Sequence, residues 1–366
     1  MRASVRWLSQ WMRCRLTQAL LGVRMLLPHD VAHAEGTGPR VVVSAVGDVG
    51  FRRQVGIDVA RGQGDPFSHV RSVLQAADLR FANLESVLTV RPLPSPKTSR
   101  TYPIIKGPPQ GAEALSRAGF DVVSIANNHI FDFFAPGFDD TLKSLARVQI
   151  AAVGAGKNDS QAYAPHISTV KGVRIGWLAY ASGVNRPAHG DAVVARRWGP
   201  APIAAVRKLR SQVDVLLVSV HWGQEGKHTP IPKQTQFAHA LIDAGVDVVI
   251  GHHPHVLQSV EVYRDRPIFY SLGNFLFGKQ PKVRRMSAIL TISVGTGSQP
   301  IHSALLTPVL IDEATEVPML ATGSDADEIV ETVQKISRGL GAKWQRQQEQ
   351  LELVGSWTVH TQTTQR

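Results

Sequence analysis

Three histidines fall within four residues, at His252, His253 and His255, in the stretch Gly251-His252-His253-Pro254-His255. They follow Val246-Asp247-Val248-Val249-Ile250, an apolar β-branched run that reads as a buried strand. Gly251 is placed to let the backbone turn where that strand ends. Neutral imidazole is the commonest nitrogen ligand for transition metals, so such a cluster is suited to converge on a cation or to take part in catalysis. One histidine at a strand end would more simply be a hydrogen-bonding cap. The recurrence of the pattern favours chemistry. Arg40–Val46 (RVVVSAV) exits into Gly47-Asp48, and Asp78–Ala82 (DLRFA) into Asn83-Leu84-Glu85. The run ending Val122-Val123 exits into Ala126-Asn127-Asn128-His129 with Asp132 just beyond, and Val213–Val220 into His221-Trp222-Gly223-Gln224-Glu225. In open α/β sheets the functional crevice lies at the carboxyl ends of the strands. Five polar exits therefore aim at one place.

Two metal ions about 3.5–4 Å apart need roughly this donor set, with one bridging carboxylate and several imidazoles. Such ions make a nucleophile available near neutral pH and stabilise charge on a phosphoryl or acyl group. A histidine left outside the metal sphere could protonate a leaving group. Cys14 is the only cysteine, which excludes an intrachain disulfide and a cysteine-built zinc site. Divalent metal would have to be held by His, Asp, Glu and Asn, a set that suits manganese, iron or zinc, with two ions expected.

The elements that must carry these residues are legible from pattern. Ala118-Gly119-Phe120-Asp121-Val122-Val123 and Ala244-Gly245-Val246-Asp247-Val248-Val249 share the form A-G-x-D-V-V. Each follows a helical run, so each glycine is placed just past a helix end and each Val-Val opens a buried strand. Helices are expected at 67–77, 137–147, 200–211, 232–244 and 326–350, the last broken at Gly339 and Gly341. Further strands are expected at 148–153, 171–180 and 267–270, with antiparallel strands at 287–294 and 302–311. The fold class is α/β. Three regions follow: a targeting segment at 1–34, a main domain at 40–311, and a helical extension with a disordered Gln/Thr-rich tail at 312–366.

Residues 1–34 hold five arginines against one aspartate, a moderately apolar Leu16–Leu27, and Ala32-His33-Ala34, a small-x-small cleavage pattern. They read as a signal peptide or a basic anchor, which makes the chain exported, periplasmic or membrane-associated; a cytoplasmic extension is the alternative. The 366-residue chain carries a formal net charge of +11. That balance fits an anionic partner, whether a phosphorylated or polycarboxylate substrate, nucleic acid or a membrane surface, and equally a merely soluble basic protein. Arg91 to Pro109 contains six prolines and Arg91, Lys97, Arg100 and Lys106 without an acid. It is a long loop, either a grip on an anion or a solvated surface loop.

Taken in order, Gly47-Asp48, Asn83-Leu84-Glu85, Ala126-Asn127-Asn128-His129 with Asp132, His221-Trp222-Gly223-Gln224-Glu225, Gly251-His252-His253-Pro254-His255 and Ser271-Leu272-Gly273-Asn274-Phe275 resemble the CapA family. The resemblance covers about residues 40 to 311. That family is linked to poly-γ-glutamate capsule biosynthesis and is similar in fold to calcineurin-like metallophosphoesterases. The resemblance implies a four-layer α/β/β/α sandwich with its site at the rim. It implies Asp48, Glu85, Asn128, His221 and two of His252, His253 and His255 as metal ligands, with Glu85 bridging. It further implies His129 as the acid, and Asp132, Glu225, Asn83, Asn127 and Asn274 as supporting or substrate-contacting residues. Two departures from the phosphoesterase pattern are visible. The usual Asp-x-His opening is here Asp48-Val49-Gly50, and the bridging Asp is a Glu. The leading expectation is a hydrolase-type metal site serving synthesis, export or surface handling of an anionic polymer, in company with a membrane-associated biosynthesis complex. A phosphoesterase for a small molecule or lipid, and a non-catalytic polymer-binding module, are the alternatives. No nucleic-acid partner is expected.

Overall fold

The computed structural model of the chain describes residues 38–92, 103–186 and 189–355. The targeting segment, Lys97, Arg100 and the tail beyond 355 lie outside the described residues.

The chain crosses between two sheets only twice. It first lays down β1 (Val41–Val49), β2 (Leu79–Leu84), β3 (Val122–Ser124) and β4 (Ala151–Val153) as parallel neighbours. It then builds a second sheet from β5 (His166–Val170), β6 (Val173–Ala181), β7 (Val215–His221), β8 (Val248–His252), β9 (Val260–Tyr263) and β10 (Arg266–Phe269). It returns to the first sheet with β11 (Asn274–Leu276), β12 (Met286–Val294), β13 (Ile301–Ile311), β14 (Pro318–Leu320), β15 (Lys343–Gln347) and β16 (Gln350–Val354). The first sheet runs β15-β16-β13-β12-β1-β2-β3-β4, with β11 also on β1 and β14 on β13. The second runs β9-β10-β8-β7-β6-β5.

Period-two alternation decides what each strand shows to each side. On β6 and β7, Leu178, Tyr180, Leu216, Val218 and Val220 pack against Val206 and Leu209 of the helix Ala201–Arg210 and against Ala238 and Leu241 of the helix Pro232–Asp243. The intervening Trp177, Ser219 and His221 look toward the other sheet. There Trp177 stacks on Phe81 of β2, with centroids 5.1 Å apart and ring planes 7° off parallel. The result is the expected four-layer α/β/β/α sandwich, whose parallel core strands point their carboxyl ends to one edge.

The A-G-x-D-V-V repeat behaves alike in both sheets. Gly119 and Gly245 adopt φ of 89° and 110°, closing helices in the left-handed region that glycine tolerates best. Asp121 then accepts from the Arg80 backbone N–H at 2.8 Å, and Asp247 from that of Leu216 at 2.8 Å. Each aspartate thus fixes its strand against the preceding one.

Three expectations change. The helix expected at 67–77 is confined to Arg71–Gln75 after a run of turns. The expected helix at 326–350 is Gly323–Ile336, and residues 343–354 form the hairpin β15–β16, whose Leu351 and Glu352 pair with Leu306 and Leu305. Gly339 and Gly341 hold positive φ and stop the helix, so the segment after 311 extends the main sheet. Finally, Gly251 does not make the turn after β8. It lies within that strand, where a Cβ would sit 1.9 Å from Tyr270 O. His253 and His255 turn the chain instead, at φ of 96° and 57°.

Gly251→Ala should therefore lower stability by about 3 kcal/mol through overpacking against fixed backbone, read as a depressed melting temperature. Gly172→Ala is the comparison: at φ 81° it has nothing within 4 Å, so its loss should come from backbone strain alone, about 1 kcal/mol.

Candidate metal centre

Lateral registry gathers the site. On the first sheet Asp48 of β1 lies level with Asn83 on one side and Asn274 on the other. On the second, His221 lies level with His252. β1 carries one extra residue between Ala45 and Asp48 relative to β2, a bulge at Val46-Gly47 that re-aims Asp48. Gly47 allows it, since a Cβ there would sit 2.1 Å from Gly273 O. Glu85 follows β2, its backbone N–H held by Val49 O at 2.8 Å.

Glu85 is fully buried, and its Oε1 has no hydrogen-bond partner. Three imidazole nitrogens surround that oxygen without donating to it: His221 Nε2 at 3.6 Å, His255 Nε2 at 3.8 Å and His129 Nε2 at 4.0 Å. Two donor sets share this carboxylate, Asp48-Glu85-His255 and Glu85-His221-His253, each with ligand atoms within 4.8 Å of one another. Asn128 Oδ1 lies 2.7 Å from His221 Nε2, and His253 Nδ1 is buried without a partner. Carboxylates and imidazoles around an orphaned oxygen are a donor set that fits a divalent cation.

The charges agree. Burial, with Asp48 and Glu225 nearby, pushes the Glu85 carboxyl well above its ordinary range. Burial pushes Asp48 the same way, but the hydrogen bond and charge from His255, with smaller contributions from His252 and Asn83, leave it below the usual value. Burial and neighbouring imidazoles hold His221 well below normal and His253 down to about 4. Neutral imidazole is the form a metal needs.

A shell of amides and carboxylates orients these groups. Asn83 donates to Asp48 Oδ1 at 2.8 Å, and His255 Nδ1 lies 2.9 Å from Asn274 Oδ1 and 3.1 Å from Asp48 Oδ2. Asn127 donates to Leu84 O and accepts from the His129 N–H, fixing the turn after β3. Asn83, Asn127 and Asn274 are fully buried and bonded within the protein, so they position neighbours and leave little to offer a substrate. His129 Nδ1 donates to Asp132 Oδ2 at 2.7 Å; Asp132 also accepts from the Ile105 N–H at 2.7 Å and from Arg186 at 2.9 Å.

Not every expected residue joins the centre. His252 turns away: its Nε2 lies 3.2 Å from Val46 O and its Nδ1 3.3 Å from Ser219 Oγ, beside the Phe81 ring. It fastens one sheet to the other, because β8 alternation points it between them. Glu225 is half exposed and pairs with Arg284 at 3.3 Å. Arg91 grips Asp140 at 2.7 Å, and Lys106 donates to Arg91 O at 2.6 Å. Neither cation lines the open pocket of about 330 Å³ over the centre, which is formed by Asn128, His129, His221, His253, Glu225, Pro103 and residues 182–185. Asn185 and Arg186 were absent from the expected site. Asn185 Nδ2 lies 3.4 Å from His129 Nε2 and its Oδ1 accepts from Asn128 at 3.3 Å. Their signal was available: β6 is a sixth buried strand, and Ser182-Gly183-Val184-Asn185-Arg186 is its polar exit.

The model of the family "Bacterial capsule synthesis protein PGA_cap" matches residues 42–279. The chain belongs to the PGA_cap family. Every residue of the two donor sets lies inside the matched stretch. A PGA biosynthesis protein CapA of Bacillus subtilis (strain 168) is 31% identical over 289 residues, covering 75% of this chain and 73% of that protein. The capsule biosynthesis protein CapA of Bacillus anthracis is 28% identical over 331 residues, covering 88% and 79%. Among solved structures, a 5'-nucleotidase from Candida albicans SC5314 aligns with a TM-score of 0.43 at 11% identity, covering 83% of this chain and 59% of that one. At that level it carries nothing about chemistry.

Glu85→Gln removes a buried charge and the shared donor together. Metal-free protein carrying it should melt a few degrees higher than wild type at pH 7, because about 1–3 kcal/mol of uncompensated carboxylate burial disappears. Wild type should be stabilised by manganese or zinc, by about 2.7 kcal/mol at a hundredfold excess over Kd, and the variant should lose that gain. The pH dependence has a definite sign. With His253 near 4 when folded and about 6.5 when unfolded, the unfolded chain binds more protons between those values. Stability of metal-free protein should fall as pH drops from about 6.5 to about 4, by at most about 3 kcal/mol from this residue. His253→Gln should flatten that part of the curve in denaturant titrations.

Proposed function

We propose that this PGA_cap family chain serves the synthesis or surface handling of an anionic polymer of the poly-γ-glutamate type, through a hydrolase-type centre that holds two divalent metal ions. The observation that carries the reading is Glu85 Oε1, a buried carboxylate oxygen without a donor, central to two donor sets that use no cysteine. The names of the Bacillus relatives supply the polymer. One ion would be held by Asp48, Glu85 and His255, and the other by Glu85, His221 and His253 with Asn128. Manganese, iron and zinc suit these ligands. When bound, such ions polarise a carbonyl or phosphoryl oxygen and lower the pKa of water.

The chain's own groups supply the rest. Asp132 fixes the proton of His129 on Nδ1 and so turns Nε2 toward the pocket and Glu85. A protonated Nε2 there can deliver a proton to a departing amine or alkoxide. Arg186 and the Ile105 N–H hold Asp132 in place while it does so. Asn185 spans His129 and Asn128 and keeps the acid and the ligand in register. No described helix is long and apolar enough to cross a membrane. We assign the work to the cell surface, in company with a membrane-associated biosynthesis complex.

Elemental analysis of the full chain after reconstitution should find about two equivalents of metal, and about one or none in His253→Ala/His255→Ala. The loaded protein should cleave γ-linked glutamyl oligomers in preference to simple phosphate monoesters. His129→Ala should keep its metal and lose turnover by about 10²–10⁴-fold. Preference for phosphate esters would overturn the polymer assignment, and near-normal turnover would remove His129 from the role of acid.

A further inference from the structure

Trp198 is the only aromatic among the large hydrophobic side chains left exposed in the described residues, with 45% of its surface open. It is exposed yet held. Its Nε1 donates to Ser182 O at 2.8 Å, and the Arg197 guanidinium lies 3.4 Å from its ring centroid. Arg197 is buried, and its hydrogen bonds go to Ser182 Oγ at 2.8 Å and to the Lys233 carbonyl, not to a carboxylate. Burial lowers the guanidinium only to about 10, so it stays charged at neutral pH. Lys233 is exposed, with its ammonium 5.9 Å from the Trp198 ring and no ion pair among the described residues. Ser182, which both Arg197 and Trp198 hold, is itself a wall of the pocket over the metal centre. An open indole, backed by a buried guanidinium and with an exposed ammonium nearby, therefore adjoins that pocket.

A ligand for this surface must alternate carboxylate with apolar carbon. A γ-linked glutamyl chain does so: every repeat carries a free carboxylate, and methylenes separate its amides. The methylenes can lie on the indole, which the buried Arg197 guanidinium backs, while a carboxylate meets the exposed Lys233. We infer that Ser182, Arg197, Trp198 and Lys233 form a platform that receives the part of a γ-linked polyglutamate chain lying outside the metal pocket. This rests on the polymer reading above and adds to it a place where chain length is sensed.

Titration calorimetry on the full, metal-loaded chain tests it, using a γ-linked glutamate dimer and an oligomer of about ten residues. Wild type should bind the oligomer at least about tenfold more tightly than the dimer. Trp198→Ala and Lys233→Gln should each remove most of that advantage and leave dimer affinity unchanged, and Lys233→Gln should also flatten the salt dependence. The His253→Ala/His255→Ala protein should retain the length advantage, because the platform lies outside the donor sets. Equal wild-type affinity for both lengths, or an advantage that survives both platform substitutions, overturns the platform and leaves the metal-centre reading standing. Failure to bind either length overturns both. Polyphosphate of matched charge bound as tightly, with the same Trp198 dependence, overturns the assignment to a glutamyl chain.

Discussion

Glu85 Oε1 is the constraint around which the rest is arranged. A buried carboxylate without a donor costs several kcal/mol unless a cation or a proton meets it. Here three imidazole nitrogens stand 3.6–4.0 Å from that oxygen, too far to hydrogen-bond. Asp48, paired with His255, carries a second negative charge into the same volume. The sandwich thus spends part of its stability on a cluster that a divalent cation would complete, and the large apolar interface around Phe81 and Trp177 offsets that cost.

Backbone geometry shows the same pressure. His253 and His255 hold positive φ, a conformation that costs a non-glycine residue of order 1–3 kcal/mol and persists only where the surroundings impose it. Gly47 and Gly251 stand where neighbouring carbonyls come so close that no side chain fits. The two tight approaches hold the ends of β1 and β8 against the same segment, residues 270–273, and the turn at positive φ then carries His253 and His255 toward Asp48 and Glu85. The unit is rigid because each part over-determines the next.

Around the donors, amides do most of the orienting. Asn83, Asn127 and Asn274 each pin a ligand or the turn that carries one, and Asp132, itself held by Arg186 and the Ile105 N–H, pins His129. Such outer partners set tautomer and direction, and so tune what the inner groups can do. The basic residues that the structure describes are placed in two ways. Arg91 and Lys106 stabilise the loop itself, whereas Arg197 and Lys233, far apart in sequence, flank an exposed indole beside the pocket.

The candidate donors were legible in the chain because buried strands end in polar residues that folding alone does not require. Asp48, Glu85, His129, His221, His253 and His255 announce themselves by type and by their place after an apolar run, and the A-G-x-D-V-V repeat announces two βα units. Composition excluded cysteine ligands outright. Which of three adjacent histidines faces the centre was not legible, because it turns on strand phase: alternation along β8 sends His252 between the sheets, and positive φ sends His253 and His255 to the site. Asn185 and Arg186 gave only the weaker signal of a strand exit without histidine or carboxylate, and the pairing of β6 beside β7 brings them to His129. Residues 343–350 were read as helix because their polar sequence lacks a strand's apolar alternation, and only pairing with β13 shows them to be a hairpin. Residue type and position after a strand were fixed locally; direction, distance and company were decided by the packing of one sheet against the other.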